Sequence, residues 1–189
     1  MLFRSHNLGL AGVWELPFGK GRRRLNNGGV LSFLLGGWQV NNVLSFITGD
    51  PIYVDSASDS LDLPGSVQTF DLLTPHPRKI GGAGPGQKFY DPSAFGPVED
   101  ARFGTLGFNA LRKPGLGNWD FGLFREFRIT ERWTVQFRME SFNFSNTPHF
   151  DQPDGDISSD SFMEIDSTRA IAREGIDQRQ FRFGIRIGF

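Results

Sequence analysis

The chain has 189 residues and a formal net charge of −1, with 20 basic side chains, 21 acidic ones and no cysteine. The balanced charge excludes a global basic field for nucleic acid, and the lack of cysteine excludes disulfides, thiolate metal sites and a cysteine nucleophile. No apolar run approaches the roughly 20 residues of a transmembrane helix. The 20 phenylalanines and 24 glycines are instead typical of strands and turns.

Five segments alternate apolar and polar residues with a period of 2, which predicts β-strands with one apolar face each. In chain order they lie near residues 6–17, 37–48, 118–129, 132–144 and 178–189. Within the third segment, Arg125 interrupts the apolar face and Phe124 interrupts the polar one. No long helix is predicted. The expected fold class is therefore all-β, an antiparallel sheet of about five strands.

The connections between these segments alternate in length. Tight or moderate links join the first segment to the second and the third to the fourth, and the former link carries the basic run Arg22, Arg23 and Arg24. Two long connections, 49–117 and 145–177, are rich in glycine, proline, aspartate and serine. Such alternation is typical of an outer-membrane barrel with short periplasmic turns and long extracellular loops.

The terminal segment has the strictest alternation and ends on an aromatic residue. Its apolar face is formed by Phe181, Phe183, Ile185, Ile187 and Phe189. In a soluble sheet this face would lie in a core, whereas in a membrane barrel it would face lipid. A C-terminal phenylalanine with no tail resembles the assembly signal of bacterial outer-membrane proteins. Two alternatives stay open at this point: a transmembrane barrel sheet and a soluble extracellular β-sandwich binding module.

Tryptophans and charged residues extend the membrane interpretation. All four tryptophans share the apolar phase of their strands near strand ends, as membrane-interface aromatics do: Trp14, Trp38, Trp119 and Trp133. The opposite phase carries the predicted lumen-facing polar residues: Arg128, Arg132, Arg138, Glu140, Arg182 and Arg186. These charges either form cross-strand ion pairs along the wall or line a permeation path.

A search for catalytic or metal-binding motifs gives no candidate. The three histidines are far apart, and Asp55, Asp59 and Asp62 lack the spacing of a calcium-binding loop. The aspartates of 151–156 are expected to form a solvated turn. We therefore expect no catalytic, cofactor-binding or metal residues, no cofactor and no enzymatic activity.

Several motifs resemble one family of outer-membrane proteins when they are taken in order. They are WELPFGKG at 14–21, LGGWQV at 35–40, YDPSAF at 90–95, RFGTLGFNALRKPGLGNWD at 102–120, QFRMESFNFSNTPHF at 136–150 and RQFRFGIRIGF at 179–189. Together they resemble the C-terminal barrel segment of TonB-dependent receptors, in the Oar-like subgroup that carries a carboxypeptidase-regulatory-like N-terminal domain. Each motif is modest alone, but the ordered set spans nearly the whole chain.

The resemblance carries expectations about architecture and partners. It implies that residues 1–189 form the last part of a 22-stranded barrel, as a fragment whose plug and energy-coupling box lie upstream. It implies a bacterial outer-membrane receptor that takes up a large, scarce and unidentified ligand. The implied partners are outer-membrane lipid, the rest of the barrel and plug, a TonB-type coupling protein and the barrel-assembly machinery, with no nucleic acid.

Overall fold

The computed structural model describes residues 5–56, 61, 68–169 and 177–189. Its elements in chain order are β1 (Asn7–Glu15), α1 (Val30–Leu35), β2 (Trp38–Ile47), β3 (Asp71–Leu72), a 3₁₀ turn (Pro92–Ala94), β4 (Phe95–Gly96), β5 (Leu116–Arg128), β6 (Thr134–Phe142) and β7 (Gln180–Gly188). The chain divides into two compact units. Within the described ranges, no helix is long and apolar enough to cross a membrane.

One unit, here called the sheet unit, comprises Asn7–Phe46, Gly117–Pro148 and Ile171–Phe189. Its strands form one five-stranded sheet in the order β1-β2-β5-β6-β7. The pairs β5–β6 and β6–β7 are antiparallel. This arrangement confirms the predicted all-β fold class with about five antiparallel strands.

The strand ends differ from the predicted ones for local reasons. β1 ends at Glu15, two residues before Pro17, which has no N–H to donate to a ladder. β6 begins only at Thr134, because the hydroxyl of Thr130 accepts the N–H groups of Arg132 and Trp133 in a tight turn. The prediction that Arg132 belongs to the lumen face of a strand is therefore wrong, since this residue lies in the turn.

The sheet unit also contains a helix that the strand periodicity does not predict. α1 is six residues long, VLSFLL, and lies between β1 and β2. Five of its six residues are apolar and only Ser32 interrupts them, so neither a strand nor a helix period is visible. Hydrogen bonds with the flanking glycines mark its two ends, from the N–H of Phe33 to the Gly29 carbonyl and from the N–H of Gly36 to the Ser32 carbonyl, each 3.0 Å long.

The second unit, here called the loop unit, comprises Met1–His6, Ile47–Leu116 and His149–Ala170. It is built largely from the two long connections, which therefore have a shared hydrophobic core. Phe70 and Met163 are fully buried and Ile165 is 1% exposed. The ring of Phe70 lies 5.1 Å from that of Phe95 and 5.4 Å from that of Phe162, between centroids. In their described residues, the long connections thus have a packed core.

Backbone contacts tie the loop unit together. β3 and β4 form a short antiparallel pair, and the N–H of Phe89 donates to the carbonyl of Met163 over 2.7 Å. Gly104 lies directly against the backbone of Thr69, where an added Cβ would approach the Thr69 carbonyl oxygen to 2.0 Å. Any side chain at position 104 would therefore force these two segments apart.

A bidentate ion pair lies beside β3 in the loop unit. The Arg102 guanidinium donates to both oxygens of the Asp71 carboxylate, over 2.8 and 2.5 Å. The N–H of Thr105 donates to the same carboxylate over 3.0 Å. The Arg102 hydrogen bonds outweigh the cost of partial burial, and with Thr105 they lower the pKa of Asp71 to about 2.

We predict that the stability of the loop unit depends on this carboxylate in acid. Because its folded pKa is depressed, its contribution is full above the ordinary pKa of about 4 and is lost as the pH falls toward 2. At neutral pH, Asp71→Asn should destabilise the unit by about 1–2 kcal/mol, after allowing for solvent screening of the exposed arginine. Limited proteolysis by thermolysin at neutral pH measures this destabilisation, and pepsin digestion between about pH 2 and 4 measures its loss in acid.

Asp100 supplies the matched control for this prediction. Its carboxylate lies 3.5 Å from the same guanidinium, but its side chain is 80% exposed. Asp100→Asn should keep the wild-type pepsin profile. Equal profiles for the two variants would contradict a specific role of Asp71.

Candidate functional site

The registers of β5, β6 and β7 divide the sheet into two chemically different faces. On one face Leu123 pairs with Met139, which pairs with Phe183, and Val135 pairs with both Phe127 and Ile187. On the other face Glu126 pairs with Gln136, which pairs with Arg186. The three strands therefore present the same phase to the same side, as the wall of a membrane barrel requires.

The apolar face remains exposed at its outer strands. In β7, Phe183 is 68% exposed and Ile185 is 72% exposed, and in β1 Trp14 is 61% exposed. A soluble β-sandwich would bury such a face against a second sheet, since contiguous exposed apolar patches are rare on soluble proteins. In β1, however, Val13 belongs to the phase assigned to the polar face, so the division of faces is less strict there.

The four tryptophans lie at or near strand ends, in the positions expected of interfacial aromatics. Trp119 donates its indole N–H to Asn42 over 3.0 Å. Trp133 directly precedes β6, and its ring lies 5.5 Å from that of the terminal Phe189. Trp38 begins β2 and donates to the carbonyl of Leu34 over 3.0 Å. Each of these three therefore combines apolar contacts with a polar or aromatic partner, as residues at a membrane boundary do.

The predicted lumen-facing charges occupy the polar face in β5, β6 and β7. Glu140 and Arg182 are direct partners in the β6–β7 register. The guanidinium of Arg138 lies over the Phe124 ring at 5.0 Å, and that of Arg182 lies over Phe142 at the same distance. Phe124, which interrupts the polar pattern of β5, thus has a cation as a neighbour.

Arg125 is the one cation that β5 places on the apolar face. It is only 7% exposed, because it donates to the carbonyl oxygens of Phe33 and Leu34 near the end of α1. Its guanidinium also lies 4.1 Å from the Phe127 ring centroid and 5.5 Å from that of Trp38. The charge is therefore shielded from the apolar surroundings by carbonyls and aromatic rings.

The loop unit carries an open cavity of about 480 Å³ with strongly acidic walls. Tyr53 and Gln152 contribute to the lining. Tyr53 is 58% exposed. The carboxylates that line the cavity are Asp55, Asp151, Asp154, Asp156, Glu164 and Asp166. The segment 151–156, expected to be a solvated turn, is thus a wall of a cavity, and Asp59 and Asp62 lie outside the described residues.

Hydrogen bonds keep two of these acids ionised. Burial alone would raise the pKa of Asp154, but donors at Ser159, Ser161 and the Asp156 N–H together outweigh it and lower that pKa. The pKa of Glu164 is lowered first by Lys88, whose ammonium lies 2.9 Å away, and then by the Gly86 N–H. The Asp154 and Glu164 carboxylates of the cavity lining are therefore negatively charged at neutral pH.

Metal and catalytic chemistry was not expected from the sequence. In the part of the chain that the structure describes, no group of three or more histidine, aspartate or glutamate side chains is arranged to hold a metal ion. The sheet has an apolar face that fits a bilayer, and the cavity is an acidic concave surface.

A single sheet with an apolar face, a polar opposite face and tryptophans near its strand ends is the wall of a membrane-spanning β-barrel. A family model described as an outer membrane beta barrel domain matches residues 2–182. The chain belongs to that family, lies in the bacterial outer membrane and contributes to a barrel wall. No curated protein and no solved structure matches the chain. Membership of this family excludes the soluble β-sandwich alternative.

Proposed function

We propose that this chain is the C-terminal part of a TonB-dependent receptor, and that the complete protein takes up a large, scarce ligand through a plugged pore. The ordered motifs at 14–21, 102–120 and 136–150 support the subgroup. The five strands of the sheet are open at both edges, and unpaired strand edges are not stable in a bilayer. The open edges require further strands to close a barrel, and in the proposed receptor these strands, the plug and the coupling segment are supplied by other parts of the complete protein.

The observation that carries the receptor role is the folded loop unit. Two connections that are distant in the chain share one core, and between them they enclose the acidic cavity. A preformed concave surface on folded loops is the arrangement that ligand capture needs, because little ordering entropy is lost on binding. The proposed role involves binding and passage, with no catalytic step.

The size and location of the native product test this proposal. An antibody to the peptide 155–169 should detect, in outer-membrane fractions, a band several times larger than the 21.2 kDa of this chain. The same band should be pulled down with the TonB-type coupling protein of the cell. A soluble product near the mass of this chain, or an outer-membrane product that never associates with the coupling protein, would overturn the receptor proposal.

We further propose that the terminal strand is the signal read by the barrel-assembly machinery. Phe189 directly follows β7 and is 93% exposed, and it continues the sequence alternation of the apolar residues from Phe181 to Ile187. Phe189→Asp should therefore reduce the yield of folded barrel, measured as the heat-modifiable band in outer membranes. Gln178→Asp adds the same charge before β7 and outside its apolar face, so it should leave this yield near wild type. Normal yield from Phe189→Asp would contradict the signal.

A further inference from the structure

Helix α1 is almost entirely apolar and yet exposed. Val30 is 73% exposed, Leu31 62% and Phe33 57%, while Leu34 and Leu35 are half exposed. Ser32 is the one buried residue of the helix. Such a surface is unstable in water, so it needs an apolar environment.

The sheet fixes where this helix lies. The last carbonyls of a helix have no partners within it, and here Arg125 of β5 binds those of Phe33 and Leu34. The Phe33 ring also lies 5.7 Å from that of Phe127. Both Arg125 and Phe127 belong to the lipid-facing phase of β5, so the exposed surface of α1 continues the lipid-facing surface of the sheet.

The segment that precedes the helix has a complementary charge for a lipid surface. Residues 17–37 contain Lys20, Arg22, Arg23 and Arg24 and no acidic residue. All four basic residues are exposed, and only Arg22 is paired with an acid in the described structure, with Glu15. An apolar helix next to exposed cations is the composition of an element that lies in a membrane interface.

We propose that the connection between β1 and β2 is a membrane-interface anchor that binds anionic phospholipid. Leu31 and its apolar neighbours enter the boundary between headgroups and acyl chains, while Arg23 and Arg24 contact headgroup phosphates. Arg125 is a positioning residue that holds the helix against the barrel wall. This anchor is independent of the ligand that the receptor takes up and goes beyond that proposed function.

Depth-dependent quenching in vesicles tests the apolar half of the proposal. Leu31→Cys, made in the full-length protein as its single cysteine, is labelled with an environment-sensitive fluorophore and reconstituted in phosphatidylglycerol–phosphatidylcholine vesicles with acyl-chain nitroxide lipids. Glu131→Cys, exposed in the β5–β6 turn at the same end of the sheet, is the control. We expect quenching at position 31 to exceed that at 131 by roughly threefold or more.

Equal quenching at positions 31 and 131 would overturn the anchor. The heat-modifiable band verifies that each labelled protein is folded, and Val30→Cys replaces the first variant if Leu31→Cys does not fold. If position 30 is quenched no more than position 131 in a folded protein, the proposal is equally refuted.

Lipid charge tests the basic half. A label at Asn27→Cys should be quenched roughly twofold more by headgroup-labelled phosphatidylglycerol than by headgroup-labelled phosphatidylcholine, because cations accumulate anionic lipid. The double change Arg23→Gln and Arg24→Gln should abolish this preference while quenching at position 31 persists. Equal quenching by the two lipids in the unaltered basic segment would refute the phosphate contact. Receptor activity enters neither measurement, so failure here is distinguishable from failure of the proposed function.

Discussion

Met139→Arg should destabilise the folded barrel by about 2–4 kcal/mol, the cost of an arginine on the lipid face near the bilayer midplane. Met139 lies near the middle of β6, which spans Thr134–Phe142, and its register partners are Leu123 and Phe183. An arginine there would have apolar neighbours on both sides and would lack the helix carbonyls that accept hydrogen bonds from Arg125. The unfolding free energy of the full-length protein in phospholipid vesicles, from urea titration, measures the cost.

Gln136→Arg is the matched control on the opposite face of the same strand. Its partner on β5 is Glu126, which offsets the like charge of Arg186 on β7. We expect its cost to stay below about 1 kcal/mol, since lumen-facing positions remain solvated. If the two arginines cost the same, the assignment of the two faces is wrong.

The strands could be predicted from the sequence because the alternation of apolar and polar residues lies within each segment. Alternation such as that of Phe181, Phe183 and Ile185 reflects the geometry of a pleated chain between two different solvents, and it needs no knowledge of other segments. Strand ends depend on single turn contacts instead. The hydroxyl of Thr130 delays the start of β6, and the ring of Pro17 ends β1 earlier than predicted.

The partner of Arg125 could not be predicted from the sequence. The sequence shows that Arg125 interrupts an otherwise apolar face. Its hydrogen-bond acceptors, the carbonyl oxygens of Phe33 and Leu34, lie more than 90 residues earlier in the chain. Backbone carbonyls have no sequence signature. The sequence signal for α1 is the mostly apolar run Val30–Leu35, which is too short for a strand of the expected length and too short for a visible helical period.

The cavity could not be predicted from the sequence either, although the sequence does show one acidic part of its lining. The aspartates of 151–156 form an evident acidic segment, yet the lining also includes Tyr53 and Asp55 from the other long connection. The shared core of the loop unit and a backbone bridge between Asp55 and Asp156 bring the two segments together. That core uses residues such as Phe70, Phe89 and Met163 at irregular spacing, which local periodicity cannot distinguish from exposed loop residues.

Phe70→Ala should therefore have a large effect on the loop unit. Phe70 is fully buried and contacts the rings of Phe95 and Phe162 edge-on. Removing its ring leaves a cavity in a close-packed core and should cost about 3–5 kcal/mol. Because proteolysis of a transiently open state follows its population, cleavage within residues 68–116 should accelerate roughly a hundredfold or more.

Phe103→Ala separates this effect from the mere loss of a phenylalanine in the same unit. Phe103 is 60% exposed, so its removal should leave the cleavage rate within a fewfold of wild type. The heat-modifiable band of the barrel should persist in both variants, since the core residues of the loop unit lie outside the five strands of the sheet. Equal cleavage rates for the two variants would mean that the long connections do not have a packed core of their own, and the preformed acidic surface that supports the receptor proposal would be lost with it.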